Sequence, residues 1–126
     1  MDINRQIKYW IDSGNDDISS AGILIEKNKY LHGLFFCHLA VEKILKAIYV
    51  KRKNDFAPKT HNLLYLCELC GIEPDDDNKV FFAVLMKYQI SGRYPDSPDK
   101  IIEFSTADEY YNKTQEAVVW LTRELN

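Results

Sequence analysis

The chain has 126 residues, which suits one domain, and 46% of them are hydrophobic, enough for a core and too many for a disordered chain. A formal net charge of -3 and a pI of about 5.6 exclude a globally basic nucleic-acid binder, although the charge is uneven: residues 1–52 hold eight Lys/Arg against six Asp/Glu, and residues 53–126 hold eight against thirteen. No apolar run approaches the ~20 residues of a membrane span, the opening MDINRQIKYWIDS has no signal-peptide core, and three cysteines make no disulfide framework, so the expectation is a cytoplasmic protein with reduced thiols.

Residues 3–27 form the first predicted helix, because Ile3, Ile7, Trp10, Ile11, Gly14, Ile18 and Ala21 recur at helical spacing. Ser13, Gly14 and Asn15 are poor interior residues and allow a bend there; alternatively, Gly14 admits a neighbouring helix. Lys27–Lys29 make a polar turn short enough to set the next helix antiparallel to the first.

The central helix spans about Tyr30 to Arg52 and contains no proline. At 100° per residue, Leu34, Cys37, Val41, Leu45 and Ile48 share one face, which Ala40, Ile44 and Ala47 widen. Phe35, Leu39 and Val50 lie on the far side, leaving only a narrow polar wedge of His38, Glu42, Lys46 and Lys43. A helix apolar nearly all round must be covered on several sides, so this one is either the middle of a bundle or shared with a second chain. Lys51, Arg52 and Lys53 close it where cations meet the negative end of the helix dipole.

Asn54–Lys59 read as a linker and Thr60 as the N-cap of a short helix from His61 to Cys70, ended by Gly71. Asp75, Asp76 and Asp77 mark the start of the next helix, which runs to about Ser91; they complement its dipole and lack the glycine and spacing of a calcium loop. Two prolines and a glycine make Gly92–Asp99 a loop. Ile101, Ile102 and Phe104 suggest a short apolar tuck, and Ser105 or Thr106 caps the last helix, with Ala107, Thr114, Ala117, Val118 and Leu121 as its stripe. The expected fold is therefore all-α, an up-and-down helical bundle of four longer helices and one short one, as a single domain over residues 1–126.

Four groups of residues carry candidate chemistry. His38, Glu42 and Lys46, at i, i+4 and i+8, climb one side of the central helix, either as an acid–base cluster or as an ordinary ion pair capped by histidine. His61 stands at a helix start, where it meets either a phosphate or a neighbouring helix. Arg93, Tyr94 and Asp96 join a fork donor, an aromatic plate and a carboxylate, which grip a phosphate and stack on a base or else pin their loop to the bundle. Cys67 and Cys70 form C-x-x-C without a second pair, which reads as two small core residues rather than zinc ligands. No nucleotide-phosphate loop, nucleophile elbow or zinc-protease motif occurs, and no metal or cofactor site is expected.

HLAVEKILKA (His38–Ala47), THNL (Thr60–Leu63) and RYPD (Arg93–Asp96), in that order and spacing, resemble the HEPN family (higher eukaryotes and prokaryotes nucleotide-binding) over nearly the whole chain. The resemblance implies a helical bundle that is usually a homodimer, a nucleotide ligand, and in many bacteria pairing with a minimal nucleotidyltransferase, as in toxin–antitoxin systems. Carried over as motif positions are His38, Glu42, Lys43, Lys46, His61, Arg93, Tyr94 and Asp96. Some HEPN lineages are metal-independent RNases with an Arg separated by four to six residues from a His. None of His32, His38 and His61 has an Arg at that spacing, and Lys27 before His32 lacks the planar fork. The expectation is a non-catalytic module; the alternatives are an RNase with a centre such as His38 with Lys46 or Arg93, acting on RNA, and a structural adaptor.

Overall fold

A computed structural model describes residues 2–93 and 101–126, and among these residues the chain forms five helices and no strand. They are α1 (Ile3–Glu26), α2 (Tyr30–Lys53), α3 (Leu63–Cys70), α4 (Asp76–Arg93) and α5 (Phe104–Arg123). No helix is long and apolar enough to cross a membrane.

α2 is the middle of the bundle: α1, α3, α4 and α5 all pack on it. Leu34, Cys37, Val41, Leu45 and Ile48 are fully buried, as are Ala40, Ile44 and Ala47 beside them. They meet Phe82 and Leu85 of α4, Leu121 of α5 and Leu63 and Leu66 of α3 in one core. Burial of its large apolar side chains at ~1.5–3 kcal/mol each gives α2 a gross contribution on the order of 10 kcal/mol, offset by chain entropy. Val50 is buried too, whereas Phe35 and Leu39 are only half-buried and leave a partly open strip on α2.

α1 runs unbroken through Ser13–Asn15, and Gly14 is there for contact rather than for a bend. A Cβ on Gly14 would lie 3.0 Å from Ile44 Cδ1 and 3.3 Å from the Ala40 carbonyl oxygen, so α1 and α2 approach closely there and any side chain would have to displace Ile44. Trp10 faces Lys46, Gly14 faces Ala40 and Ile44, and Ile25 faces Gly33, the descending order of antiparallel helices.

Three element ends differ from expectation. The short helix starts at Leu63, because Asn62 is its N-cap and accepts from the Tyr65 N–H; the Thr60 hydroxyl is taken by the Asn62 N–H instead. α4 continues through Gly92 to Arg93, two residues past the expected end, because proline restricts only what adjoins it. α5 begins at Phe104 with Glu103 as N-cap, ahead of the Ser/Thr pair; Ile102 packs on the core while Ile101 is almost wholly exposed. Gly71 is the left-handed C-cap of α3, at φ 74°.

The basic end of α2 ties the chain together. Arg52 donates to the Cys70 carbonyl at 2.7 Å and pairs with Glu124 at 2.8 Å, and Lys51 donates to the Leu125 carbonyl. Arg52 and Lys51 therefore hold α3 and the end of α5 onto α2.

Candidate functional site

The segment after α2 turns back at Asn54, whose left-handed backbone suits asparagine, and returns along α2 to place His61 beside it. The ring of His38 is fully buried, and its Nε2 lies 2.8 Å from the His61 carbonyl oxygen. A carbonyl only accepts, so Nε2 carries the proton and donates. That bond fixes the backbone of His61.

The His61 ring then turns onto the same helix. Its Nδ1 is 2.9 Å from Glu42 Oε1, while Lys46 Nζ is 3.1 Å from Glu42 Oε2. His38 Nδ1 sits 3.7 Å from Glu42 Oε1. The side chains of Glu42 and Lys46 are 4% and 7% exposed, whereas that of His61 is 52% exposed. Two buried, opposite charges thus brace one imidazole at the surface. The carboxylate accepts from Nδ1–H, which leaves Nε2 of the neutral ring as a free acceptor. Below them Lys46 Nζ lies 5.3 Å from the centre of the Trp10 ring, a cation–π contact that covers the inner side of the pair.

The i, i+4, i+8 row is therefore both an ion pair and the base of a site: spacing brings His38, Glu42 and Lys46 together, and the returning segment adds His61. Lys43 turns away from them, 2.7 Å from both Ser13 Oγ and Asp17 Oδ2 on α1. Burial holds the Asp17 carboxyl above the usual carboxylate range, while Lys43 pulls it back down. The sequence assigned no partner to Asp17 and gave Trp10 only a place in the helical repeat of α1. Their signal was the match of Trp10, Ser13 and Asp17, one face of α1, to Lys43 and Lys46 of an antiparallel α2.

The side chain of Arg93, together with Tyr94 and Asp96, lies outside the described residues. Near the end of α4 a cavity of about 420 Å³ is lined by Leu31, Lys87, Tyr88, Ser91 and Tyr110. Leu31 is eleven residues from Glu42, about 16 Å along α2, so this cavity and the His61 cluster are separate places. All three thiols are reduced and buried; burial pushes Cys37 and Cys70 to about 11 and Cys67 to about 12, and Cys70 Sγ donates to the Leu45 carbonyl. Among the described residues no group of His, Cys, Asp and Glu is arranged to hold a metal ion.

The model of the HEPN domain matches residues 7–125. The chain belongs to the HEPN family. Two solved structures share its fold. TT1696 from Thermus thermophilus has a TM-score of 0.76 at 21% identity, covering 94% of this chain and 98% of that one. ST0689, an archaeal HEPN homologue, has a TM-score of 0.76 at 19% identity, covering 95% and 98%. At such identities the likeness speaks for the fold alone. No curated protein matches the sequence. Within this HEPN domain, HLAVEKILKA and THNL are the two segments that meet at the Glu42–His61 contact.

Proposed function

We propose that this HEPN domain is a non-catalytic, dimeric module that takes a nucleotide by its phosphate at His61. The observation that carries the reading is a half-exposed imidazole held from behind by a buried carboxylate. A merely structural histidine needs no free edge; here Nδ1 is anchored to Glu42 and the outer edge is open. Protonation of Nε2 converts that edge into a charge-assisted donor for a phosphate oxygen, with Glu42 compensating the added charge. The groups around the ring are Glu42, His38 and Lys46, with Glu42 and Lys46 paired to each other.

The partly open strip of Phe35 and Leu39 on α2 supports pairing of two copies beside this site. The partner protein suggested by the family is a minimal nucleotidyltransferase, which would deliver or receive the nucleotide. Titration with ATP, AMP and inorganic phosphate, followed by NMR of the histidine rings, tests the ligand. Saturable shifts at His61 support it, and no shift at millimolar ligand removes it. Light scattering behind size exclusion tests the dimer, and a strict monomer at high concentration removes that half.

A metal-independent RNase is the second reading, favoured by the same contact, since an Nε2 oriented by a carboxylate is also a general base. His38 has no access to such a role: it is fully buried and its Nε2 is used by the His61 carbonyl. Cleavage of RNA by the purified protein that disappears in His61→Ala would establish it, and intact RNA would dismiss it.

A further inference from the structure

α4 and α5 both pack on α2, and aromatic rings bridge the space between them. Phe81 stacks on Tyr110 at 5.9 Å and Phe82 on Trp120 at 6.4 Å, both with planes 24° apart. Above these rings lies an open groove of about 600 Å³ whose lining includes Phe81, Tyr110, Trp120 and Val80, the last 67% exposed. Phe81 is itself buried, so the apolar surface the groove offers comes from exposed Val80 and the partly exposed rings of Tyr110 and Trp120. Asp75 and Asp77 stand on the α4 side of the groove and Glu116 on the α5 side. The lone cation among the groove residues, Lys113, is directed to Glu109 at 3.9 Å. The groove is therefore apolar at its base and negative at both rims.

We infer that the α4–α5 groove docks a basic amphipathic helix of a partner protein. An apolar stripe at i, i+3, i+4 and i+7 would lie on Val80, Tyr110 and Trp120, and flanking Lys or Arg would face Asp75, Asp77 and Glu116. The α4 stretch from Asp75 to Val84 is ten residues, about 15 Å, so the groove accommodates roughly three turns of such a helix. An acidic helix meets three carboxylates there, and a second copy would bring its own acidic α4 and α5 against them. The inference is independent of the ligand at His61.

The test uses the full chain carrying Trp10→Phe, which leaves Trp120 as the sole indole reporter. Three synthetic fourteen-residue probes are titrated: a Leu/Lys peptide with helical apolar spacing, the same pattern with Glu for Lys, and a scrambled Leu/Lys peptide. Docking predicts a saturable change in Trp120 emission with the patterned Leu/Lys peptide alone, weakened at least tenfold in Asp75→Asn/Asp77→Asn/Glu116→Gln and abolished in Val80→Arg. Asn still caps a helix and Val80 is exposed, so these variants fold. Equal binding of the scrambled or Glu peptide, unchanged affinity in the triple variant, or a silent Trp120 would overturn the inference.

Discussion

Glu42 and His61, nineteen residues apart, meet at 2.9 Å, and the carboxylate that reaches the imidazole is itself almost fully buried. The contact joins the returning segment to α2 and sets which nitrogen of His61 faces outward. It also makes Glu42 the common partner of Lys46 and His61, so that stability and the proposed binding share one side chain.

Removing either member of the Glu42–Lys46 pair leaves an uncompensated charge in the bundle. Glu42→Leu or Lys46→Met alone is expected to cost about 3–5 kcal/mol, whereas the double replacement costs clearly less than their sum. Urea denaturation of the four proteins measures the cycle. Strict additivity would mean that the pair does not act as a unit.

Gly14 is predicted to tolerate nothing branched. Gly14→Val places methyls where Ile44 and the Ala40 carbonyl already stand and should cost about 1–3 kcal/mol, because the helices must separate. A thermal melt indistinguishable from the parent's would show that α1 lies farther from α2 than described.

How far these features can be read from the sequence depends on the range of the interaction. The unbroken periodicity of Leu34, Cys37, Val41, Leu45 and Ile48 identifies α2 and its central position, since no surface helix is apolar round so much of its circumference. Gly71 as a C-cap and the His38–Glu42–Lys46 row follow from local spacing, whereas for Gly14 spacing leaves a bend and a helix contact equally open. The starts of α3 and α5 do not, because Thr60 and Asn62 each offer an oxygen and only the path of the chain decides which one caps, and α5 starts after Glu103 with no side-chain cap at all. The meeting of His61 with Glu42 and of Trp10 with Lys46 depends on how the connection after α2 and two helices align. No single-sequence pattern encodes that alignment.

Asp17 should give a pH signature of its own. Its folded-state pKa lies above the ordinary value of 3.8, chiefly through burial, so the carboxyl takes up a proton on folding. Its penalty is in full force above the folded pKa and fades as the pH drops towards 3.8. Stability measured against Asp17→Asn is therefore expected to shift in favour of the parent as the pH falls through that window. A difference that moves the other way would place Asp17 in a dominant ion pair with Lys43, and one that does not move would place it in solvent.

The thiols are predicted to be inert while the protein is folded. With Cys37 and Cys70 near 11 and Cys67 near 12, the thiolate fraction at pH 8 is about 100-fold or more below that of an ordinary cysteine, before access is considered. Labelling with a thiol reagent should report none of the three in the native state and all three in denaturant. Rapid native labelling of Cys67 or Cys70 would contradict their place in the core.

The most direct measurement is the histidine-ring NMR spectrum of the protein titrated with ATP, with Glu42→Gln in parallel. His61 is expected to donate Nδ1–H in the free protein, and its Nε2 resonance to move saturably with nucleotide. His38 should stay fixed, and Glu42→Gln should weaken the response several-fold. A His61 resonance indifferent to millimolar nucleotide, or a response identical in Glu42→Gln, would contradict the proposed role of this contact.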